Sequence, residues 1–328
     1  MFTFRPWILP WIALSTMASK IANDSLPLPS QLVAQVPGAW FENLAVRSNG
    51  NILITSCYQP NASVYELSNP RAESASLQLR FTIQTVNGLL GITETFPDVF
   101  AFVGSNISFT AGGERGAAAL WTINFNEELS PSPRLIAHLP DAILLNGATS
   151  VPQNPQIVLV ADSIRGLVWR VDITSGAVSI GAEVPEMGAD QSKGPVTAIN
   201  GLKIHDGYLW WSSLVEKALY RIKITDEGRA VCGASAEKMA SLPASAADDL
   251  TFGPNGESIA WVATNRGNKI VAVNPDGEIV TVSESADIAA ASALQFGRTK
   301  LDEKILYTTT AAGNIVAIDT SSLFEEAV

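Results

Sequence analysis

The stretch LLNGATSVPQNPQIVLVADSIRGLVWRVD, residues 144–172, contains the unit that decides the fold. It opens on an apolar pair followed by Asn-Gly, continues after a turn as the apolar run PQIVLVADS, and turns again into GLVWRVD. Patterning with a period of two and enrichment in β-branched and aromatic residues are typical of half-buried strands. The stretch therefore predicts consecutive strands joined by short turns.

The same unit recurs along the chain, and we number the copies repeats one to six. They open at AWFENLAV (Ala39), NGLLGIT (Asn87), LLNGATS (Leu144), AINGLKI (Ala198), ADDLTF (Ala247) and ASALQF (Ala291). Each opening is followed by an apolar run and then by an alternating strand, such as GNILITS and SVYEL or EKILYTTT and NIVAID. Recurring units of about 40 to 50 residues with several short strands are typical of propellers. We therefore predict an all-β, six-bladed β-propeller, because the strands of a β-sandwich would not recur as equivalent units.

The remaining segments fit one propeller domain over residues 20–328. LVAQV, residues 32–36, is the candidate strand that completes the last blade and closes the ring. Apolar residues form 47% of the chain and charged residues 16%, which suits a large core. The net charge of −11 makes nucleic acid an unsuitable partner.

The first 19 residues have the order of a secretory signal peptide. Arg5 precedes an apolar stretch, residues 7–14, and a region of small residues, 15–19. That stretch is shorter than the roughly 20 residues that span a bilayer, so no stable membrane anchor is expected. Glycosylation sequons at Asn23, Asn61 and Asn106 agree with a secreted protein.

The first strand of every blade lines the axis of a propeller, so equivalent positions in the six openings should form a ring. Those positions hold Glu42, Leu90, Asn146, Asn200, Asp248 and Ser292. The positions after them hold Asn43, Gly91, Gly147, Gly201, Asp249 and Ala293. Two carboxylates and two amides at one point suit calcium or magnesium, whereas the other interpretation is an ordinary polar, water-filled channel.

This constellation resembles that of the senescence-marker-protein and gluconolactonase propellers, which bind a divalent cation with four such side chains. The resemblance implies metal-ligand roles for Glu42, Asn146, Asn200 and Asp248, with the register between Asp248 and Asp249 left open. The lactonases carry an arginine two residues before the asparagine of repeat three, where this chain has Leu144. Leu144, Trp40 and Leu90 instead predict an apolar binding surface. Leu89 and Leu145 either join that surface or pack inside the blades.

The openings FENLAVRSNGNILIT, LLNGATS, INGLK and DDLTF are more similar to a fungal secreted branch of this superfamily. That branch includes hetero-Diels-Alderases of tropolone sesquiterpenoid pathways, which join an ortho-quinone methide to a humulene-type alkene. The resemblance implies a pericyclase with small apolar substrates and no required cofactor. The cation, if bound, would be structural.

A pericyclase mainly needs to hold its two partners in reacting geometry and to stabilise charge on the heterodiene oxygen. Candidate donors are Lys203 and the amides of Asn146 and Asn200. Glu42 or Asp249 could act as acid or base in forming the quinone methide. The rival hypotheses are a metal-dependent lactone hydrolase, in which a cation activates water, and a non-catalytic extracellular binding propeller.

Cys57 and Cys232 lie in repeat one and after repeat four, on roughly opposite sides of the predicted ring. We therefore expect two free, buried thiols, because cysteines so far apart cannot be bridged. Titration of the denatured, unreduced protein should find two reactive thiols. Fewer than two would contradict the assignment of the repeats.

Overall fold

The structure is a computed structural model, and it describes residues 21, 26–58, 61–108, 110, 112–127, 131–193, 196–242 and 246–323. The predicted signal peptide and the sequon at Asn23 lie outside these residues. The described part is all-β apart from five single turns of 3-10 helix, at Pro185–Met187, Gln191–Lys193, Pro254–Gly256, Ala286–Ile288 and Ser321–Leu323. No helix in this part is long and apolar enough to cross a membrane.

The strands follow the repeats. After β1 (Ser30–Gln35), repeat one forms β2 (Trp40–Val46), β3 (Ile52–Cys57), β4 (Ser63–Ser68) and β5 (Ser76–Thr82). Repeat two forms β6 (Gly88–Glu94), β7 (Val99–Ser105), the short pair β8 (Ile107–Ser108) and β9 (Gly112–Gly113), β10 (Ala119–Asn124) and β11 (Arg134–His138). Repeat three forms β12 (Leu145–Val151), β13 (Asn154–Asp162), β14 (Leu167–Asp172) and β15 (Val178–Ala182).

The second half continues in the same way. Repeat four forms β16 (Ile199–His205), β17 (Tyr208–Ser213), β18 (Ala218–Lys223) and β19 (Glu237–Ser241). Repeat five forms β20 (Ala247–Phe252), β21 (Ala260–Thr264), β22 (Lys269–Val273) and β23 (Ile279–Glu284). Repeat six forms β24 (Ala291–Phe296), β25 (Ile305–Thr310) and β26 (Asn314–Asp319).

Small antiparallel sheets are arranged as in a propeller. Repeats three, four and five each form a four-stranded sheet in chain order, and repeat six is completed by β1, which pairs with β26. The prediction that residues near the N-terminus close the last sheet is therefore confirmed. Repeats one and two share an eight-stranded sheet, in which only the pair Cys57–Gly88 joins two meanders of four strands. The first strands contact one another in ring order, β2, β6, β12, β16, β20, β24 and back to β2.

Each first strand carries a β-bulge or register shift against its second strand at the same position. The irregularities enclose Glu42, Leu90 with Gly91, Asn146 with Gly147, Asn200 with Gly201, Asp248 with Asp249, and Ser292. A bulge adds a residue to one strand, so it bends the strand and redirects a side chain. These are the residues that the sequence aligned as a ring.

Hydroxyl groups link neighbouring repeats next to these bulges. Thr55 Oγ1 accepts the Asn43 N–H at 3.1 Å and donates to the Leu90 carbonyl of repeat two at 2.6 Å. Ser212 Oγ accepts the Gly201 N–H at 2.8 Å and donates to the Asp248 carbonyl of repeat five. The hydroxyl thus accepts a backbone N–H that the bulge removes from the hydrogen-bond ladder of its sheet. By donating to a carbonyl of the next repeat, the same hydroxyl also links the two sheets.

Close approach at the ring explains the glycines after the bulge asparagines. A Cβ on Gly147 would lie 2.5 Å from the Asn200 carbonyl oxygen and 2.7 Å from the Gly201 Cα. Real side chains do not approach so closely, so the first strands of repeats three and four can pack at this distance only because Gly147 lacks a Cβ.

Apolar cores fill the spaces between successive sheets. Trp211 packs with Val151 and Ile157 between repeats three and four, whereas Trp210 packs with Leu250 on the other side of its sheet. Both tryptophans are therefore core residues on opposite faces of their sheet. His205 stacks on Phe252 with a centroid distance of 3.9 Å.

Cys57 and Cys232 are both free thiols. The expectation that both are buried is wrong for Cys232, which is exposed. It lies in the connection between β18 and β19, outside the strands.

Ser212→Ala should destabilise the protein by about 1–3 kcal/mol, because it leaves the Gly201 N–H and the Asp248 carbonyl buried without their partner. The free energy of unfolding from urea titration measures this effect. Ser241→Ala, at an exposed position of β19, is the matched control. Equal stabilities of the two variants would contradict the role of the Ser212 hydroxyl.

Candidate functional site

A cavity of about 270 Å³ opens at the end of the ring where the first strands begin. Every repeat from one to five contributes residues to it. The lining consists of Trp40, Glu42, Cys57, Tyr58, Leu90, Ile107, Ser108, Gly112, Leu144, Asn146, Ile164, Thr197, Asn200, Leu214, Asp248, Asn265 and Arg266.

The polar floor of the cavity comes from the bulges. Glu42, Asn146, Asn200 and Asp248 are all buried and all line this one cavity. Asp248 accepts hydrogen bonds from two amides, Asn200 Nδ2 to Oδ1 at 2.6 Å and Asn265 Nδ2 to Oδ2 at 2.6 Å. Burial and the neighbouring Glu42 raise the pKa of Asp248 well above its usual range, while the Asn265 amide opposes that rise.

Glu42 is the second carboxyl of the floor. Its Oε2 accepts the indole N–H of Trp40 at 2.6 Å and lies 4.0 Å from Cys57 Sγ. Burial raises the pKa of Glu42 from 4.5 to about 7, opposed by the Trp40 hydrogen bond and reinforced by Asp249. A carboxyl with a pKa near neutrality can both give and take a proton.

Asn146 differs from the other floor residues. Its side chain is buried at the cavity, yet the described residues provide its amide with no hydrogen-bond partner. A buried amide without a partner is costly unless a ligand or water completes it. Asn146 is therefore the floor amide that is available to a bound molecule.

Aliphatic side chains form a continuous arc of the wall. Leu90, Ile107, Leu144, Ile164 and Leu214 come from repeats two, three and four. Leu89 and Leu145, by contrast, are fully buried in the cores between sheets, so for them the packing interpretation holds.

Lys203 and Asp249 do not line this cavity, although the sequence predicted both among the site residues. Asp249 accepts from Asn43 Nδ2 at 3.3 Å, and its Oδ2 lies 3.7 Å from Lys203 Nζ. Lys203 lines a second cavity, of about 200 Å³, near the far ends of the first strands. The cause is strand geometry, since Lys203 stands three residues, roughly 10 Å, beyond Asn200.

The residues that follow the second strands also line the cavity, although the sequence did not predict them as site residues. Tyr58, Ile107, Ile164, Leu214 and Arg266 each stand within two residues of the end of β3, β7, β13, β17 or β21. The repeat alignment carried a usable signal, because these residues occupy corresponding places after the apolar runs. Aligning the openings alone does not reveal it.

The donor set of the floor fits a hard cation. Two carboxylates and two amides present oxygen ligands at one cavity, and calcium and magnesium prefer such ligands. Burial disfavours the charge of both carboxyls, so a cation would relieve a cost that the protein otherwise bears. Within the described residues no group of three or more His, Cys, Asp or Glu side chains is placed to hold a metal ion, so amide oxygens would have to take part.

Fold and site together define an all-β, propeller-like protein with a partly apolar cavity at one end of its central ring. No family model matches the chain. A relative from Phoma sp., named "Putative hetero-Diels-Alderase", is 32% identical over 327 residues, which cover 92% of this chain and 91% of the relative. A second relative, from Sarocladium schorii and also named a putative hetero-Diels-Alderase, is 29% identical over 337 residues, which cover 93% of this chain and 83% of the relative. The chain belongs to this hetero-Diels-Alderase family.

Solved structures support the fold alone. Regucalcin, a calcium-binding protein from Agrobacterium tumefaciens, superposes with a TM-score of 0.62 at 13% identity over 90% of this chain and 94% of its own. A protein described as a putative gluconolactonase superposes with a TM-score of 0.63 at 14% identity, over 90% of this chain and 93% of its own. The resemblance to gluconolactonase-like propellers is therefore confirmed.

Glu42→Gln should change how stability depends on pH. Because the folded protein raises the pKa of Glu42, it binds the proton more tightly than the unfolded chain does, and stability falls as pH rises from about 4.5 to about 7. The variant has no carboxyl at this position and does not lose this stability. The difference in free energy of unfolding between the variant and the unsubstituted protein should therefore shift in favour of the variant by up to roughly 3 kcal/mol as the pH rises from about 4.5 to 8.

Thermal unfolding across this pH range measures the effect. Glu284→Gln, at the exposed end of β23, should follow the unsubstituted protein at every pH. If Glu42→Gln follows it as well, the Glu42 carboxyl is not held neutral by burial.

Proposed function

We propose that this protein is a hetero-Diels-Alderase that joins a tropolone-derived ortho-quinone methide to a humulene-type alkene in the cavity at the ring. One observation carries the proposal besides the family: an aliphatic arc faces a polar floor within a single cavity. A hydrocarbon partner can lie against the arc while the oxygen atoms of the heterodiene lie over the floor. Each side of the cavity then matches one of the two reactants.

The architecture proposed with this function is a six-bladed propeller. The eight-stranded sheet consists of two meanders that share one residue pair, so we infer that repeats one and two are separate blades. The ring of six contacting first strands supports that count.

Positioning would provide most of the acceleration. A cycloaddition needs no covalent intermediate with the protein, and orientation alone can supply roughly 7–11 kcal/mol. A cavity of about 270 Å³ is near the lower end for ligand sites, so it would enclose the reacting ends of the partners and leave the remainder at the opening. The Asn146 amide would stabilise charge that develops on the heterodiene oxygen.

Glu42 would serve the step before the cycloaddition. In a precursor with a ring hydroxyl beside a hydroxymethyl group, protonated Glu42 gives its proton to the hydroxymethyl oxygen, and the carbon–oxygen bond breaks with loss of water. The carboxylate then takes the proton of the ring hydroxyl. The quinone methide forms, one water leaves, and Glu42 regains its proton. The pKa of about 7 suits both transfers.

A bound calcium or magnesium ion would be held by Glu42, Asn146, Asn200 and Asp248. It would neutralise the buried carboxyls in place of the Glu42 proton and fix the floor, so the proton transfers by Glu42 belong to the protein without the ion. The rival function, a lactone hydrolase, is favoured by the same four oxygen ligands, which could hold a cation that activates water. Leu144, in place of the arginine of the sugar lactonases, favours the cycloaddition.

We also infer passage through the secretory pathway, which residues 1–19 and the sequons support. Asn61 is exposed and open to glycosylation. Asn106 is half-buried, and its Nδ2 donates to Glu114 Oε2 at 2.9 Å, so a glycan there would have to be added before folding.

The decisive assay mixes the protein with a quinone-methide precursor and humulene, with and without a chelator, beside gluconolactone and aliphatic lactones. We expect faster and more selective adduct formation that survives chelation, because positioning requires no Lewis acid. Asn146→Leu should slow the reaction by about tenfold or more, whereas Gln78→Leu on the exposed face of β5 should not. If a lactone is opened in a metal-dependent way and no adduct forms, the protein is a lactone hydrolase and this proposal fails. If neither assay shows activity, a non-catalytic binding propeller is favoured instead.

A further inference from the structure

The lining of the cavity is distributed unevenly around the ring. Repeats two, three and four supply its aliphatic residues, from Leu90 to Leu214. Repeat five supplies Asp248, Asn265 and Arg266, and repeat one supplies Trp40, Tyr58 and Glu42. Among the described residues, repeat six contributes nothing to the lining. The charged and aromatic residues of the lining therefore lie on the side of the ring opposite the aliphatic arc.

Arg266 provides the positive charge of the described lining. It follows the end of β21, its side chain is exposed at the opening, and it forms no hydrogen bond or ion pair with any described residue. In a protein with a net charge of −11, an arginine at a cavity that lacks a carboxylate partner is available to a ligand. Its neighbour Asn265 donates a hydrogen bond to Asp248, and this bond holds in place the backbone from which the Arg266 side chain extends.

Trp40 and Tyr58 form an aromatic wall on the same side. Their ring centroids are 6.0 Å apart at an interplanar angle of 38°. The Trp40 indole is oriented by its hydrogen bond to Glu42. Tyr58 adopts a backbone φ of 60°, which is unfavourable for a bulky residue, and its N–H donates to the Asn87 carbonyl at 2.9 Å. Strained residues of this kind persist where the surrounding structure holds them, often at ligand sites.

We propose that Arg266 binds an anionic oxygen of the planar, conjugated substrate, whose ring lies on the Trp40–Tyr58 wall, and thereby directs the alkene to the aliphatic arc. Arg266 is then the residue that fixes the relative orientation of the two partners. A guanidinium suits this role because its planar fork can engage two adjacent oxygen atoms at once, as a lysine ammonium cannot.

This inference rests on the proposed function for the identity of its ligand, but it can be tested without any reaction. The probes are tropolone, as the anion at about pH 8, and tropone, its neutral analogue without the second oxygen. Titration calorimetry, with quenching of tryptophan fluorescence as a second signal, gives the dissociation constants for both. We expect tropolone to bind more tightly than tropone.

Arg266→Gln should weaken tropolone binding by about tenfold or more, as expected for loss of a charge-assisted hydrogen bond, and should leave tropone binding unchanged. Arg266→Lys should restore only part of the affinity. Arg134→Gln, at an exposed position of β11, is the matched control and should bind as the unsubstituted protein does. Unchanged tropolone affinity in Arg266→Gln, or an equal loss for both probes, overturns the inference.

The reaction distinguishes this inference from the function on which it rests. If the adduct forms but Arg266→Gln makes it at the same rate and with the same regiochemistry, only the role of Arg266 fails. If tropolone binds through Arg266 but no adduct forms, the anion site stands and the cycloaddition fails.

Discussion

The bulge in each first strand, which a hydroxyl of the second strand links to the next repeat in repeats one and four, is the constraint on which the rest of the structure depends. The extra residue releases a backbone N–H from the ladder, and that group would be costly if left unpaired in the interior. Thr55 and Ser212 satisfy it, and both pass their own hydrogen bond to the first strand of the next repeat. A local irregularity thereby becomes a link between sheets, and the same irregularity directs Glu42, Asn200 and Asp248 into the cavity.

This arrangement has an electrostatic cost. Glu42 and Asp248 are buried close to each other and to Asp249, and burial raises the pKa values of all three. Hydrogen bonds from Trp40, Asn200 and Asn265 offset only part of that cost. A floor of this kind is poor for stability alone. Such a floor is useful where a carboxyl must hold a proton near neutral pH, as in the proposed formation of the quinone methide. It is also useful where oxygen ligands must converge on a cation, as in a lactone hydrolase.

The two halves of the site are built by different parts of the repeat. First strands provide the floor, where neighbouring backbones are so close that Gly147 has no space for a Cβ. The connections after the second strands provide much of the wall, where side chains such as Ile164 and Arg266 face open space. Substitutions in the wall can therefore change the ligand without disturbing the ring, which is how one fold supports several functions.

The sequence by itself determined the repeated unit, the all-β class, the closing strand and the ring positions of Glu42, Asn146, Asn200 and Asp248. It could do so because period-two patterning and recurrence are local properties of the chain. Only the tertiary structure decided that Asp249 and Lys203 lie away from the cavity, that Cys232 is exposed and that Arg266 reaches the opening. Those outcomes depend on bulges, on the direction of each strand along the ring and on the path of loops, and these are set by contacts between residues far apart in sequence.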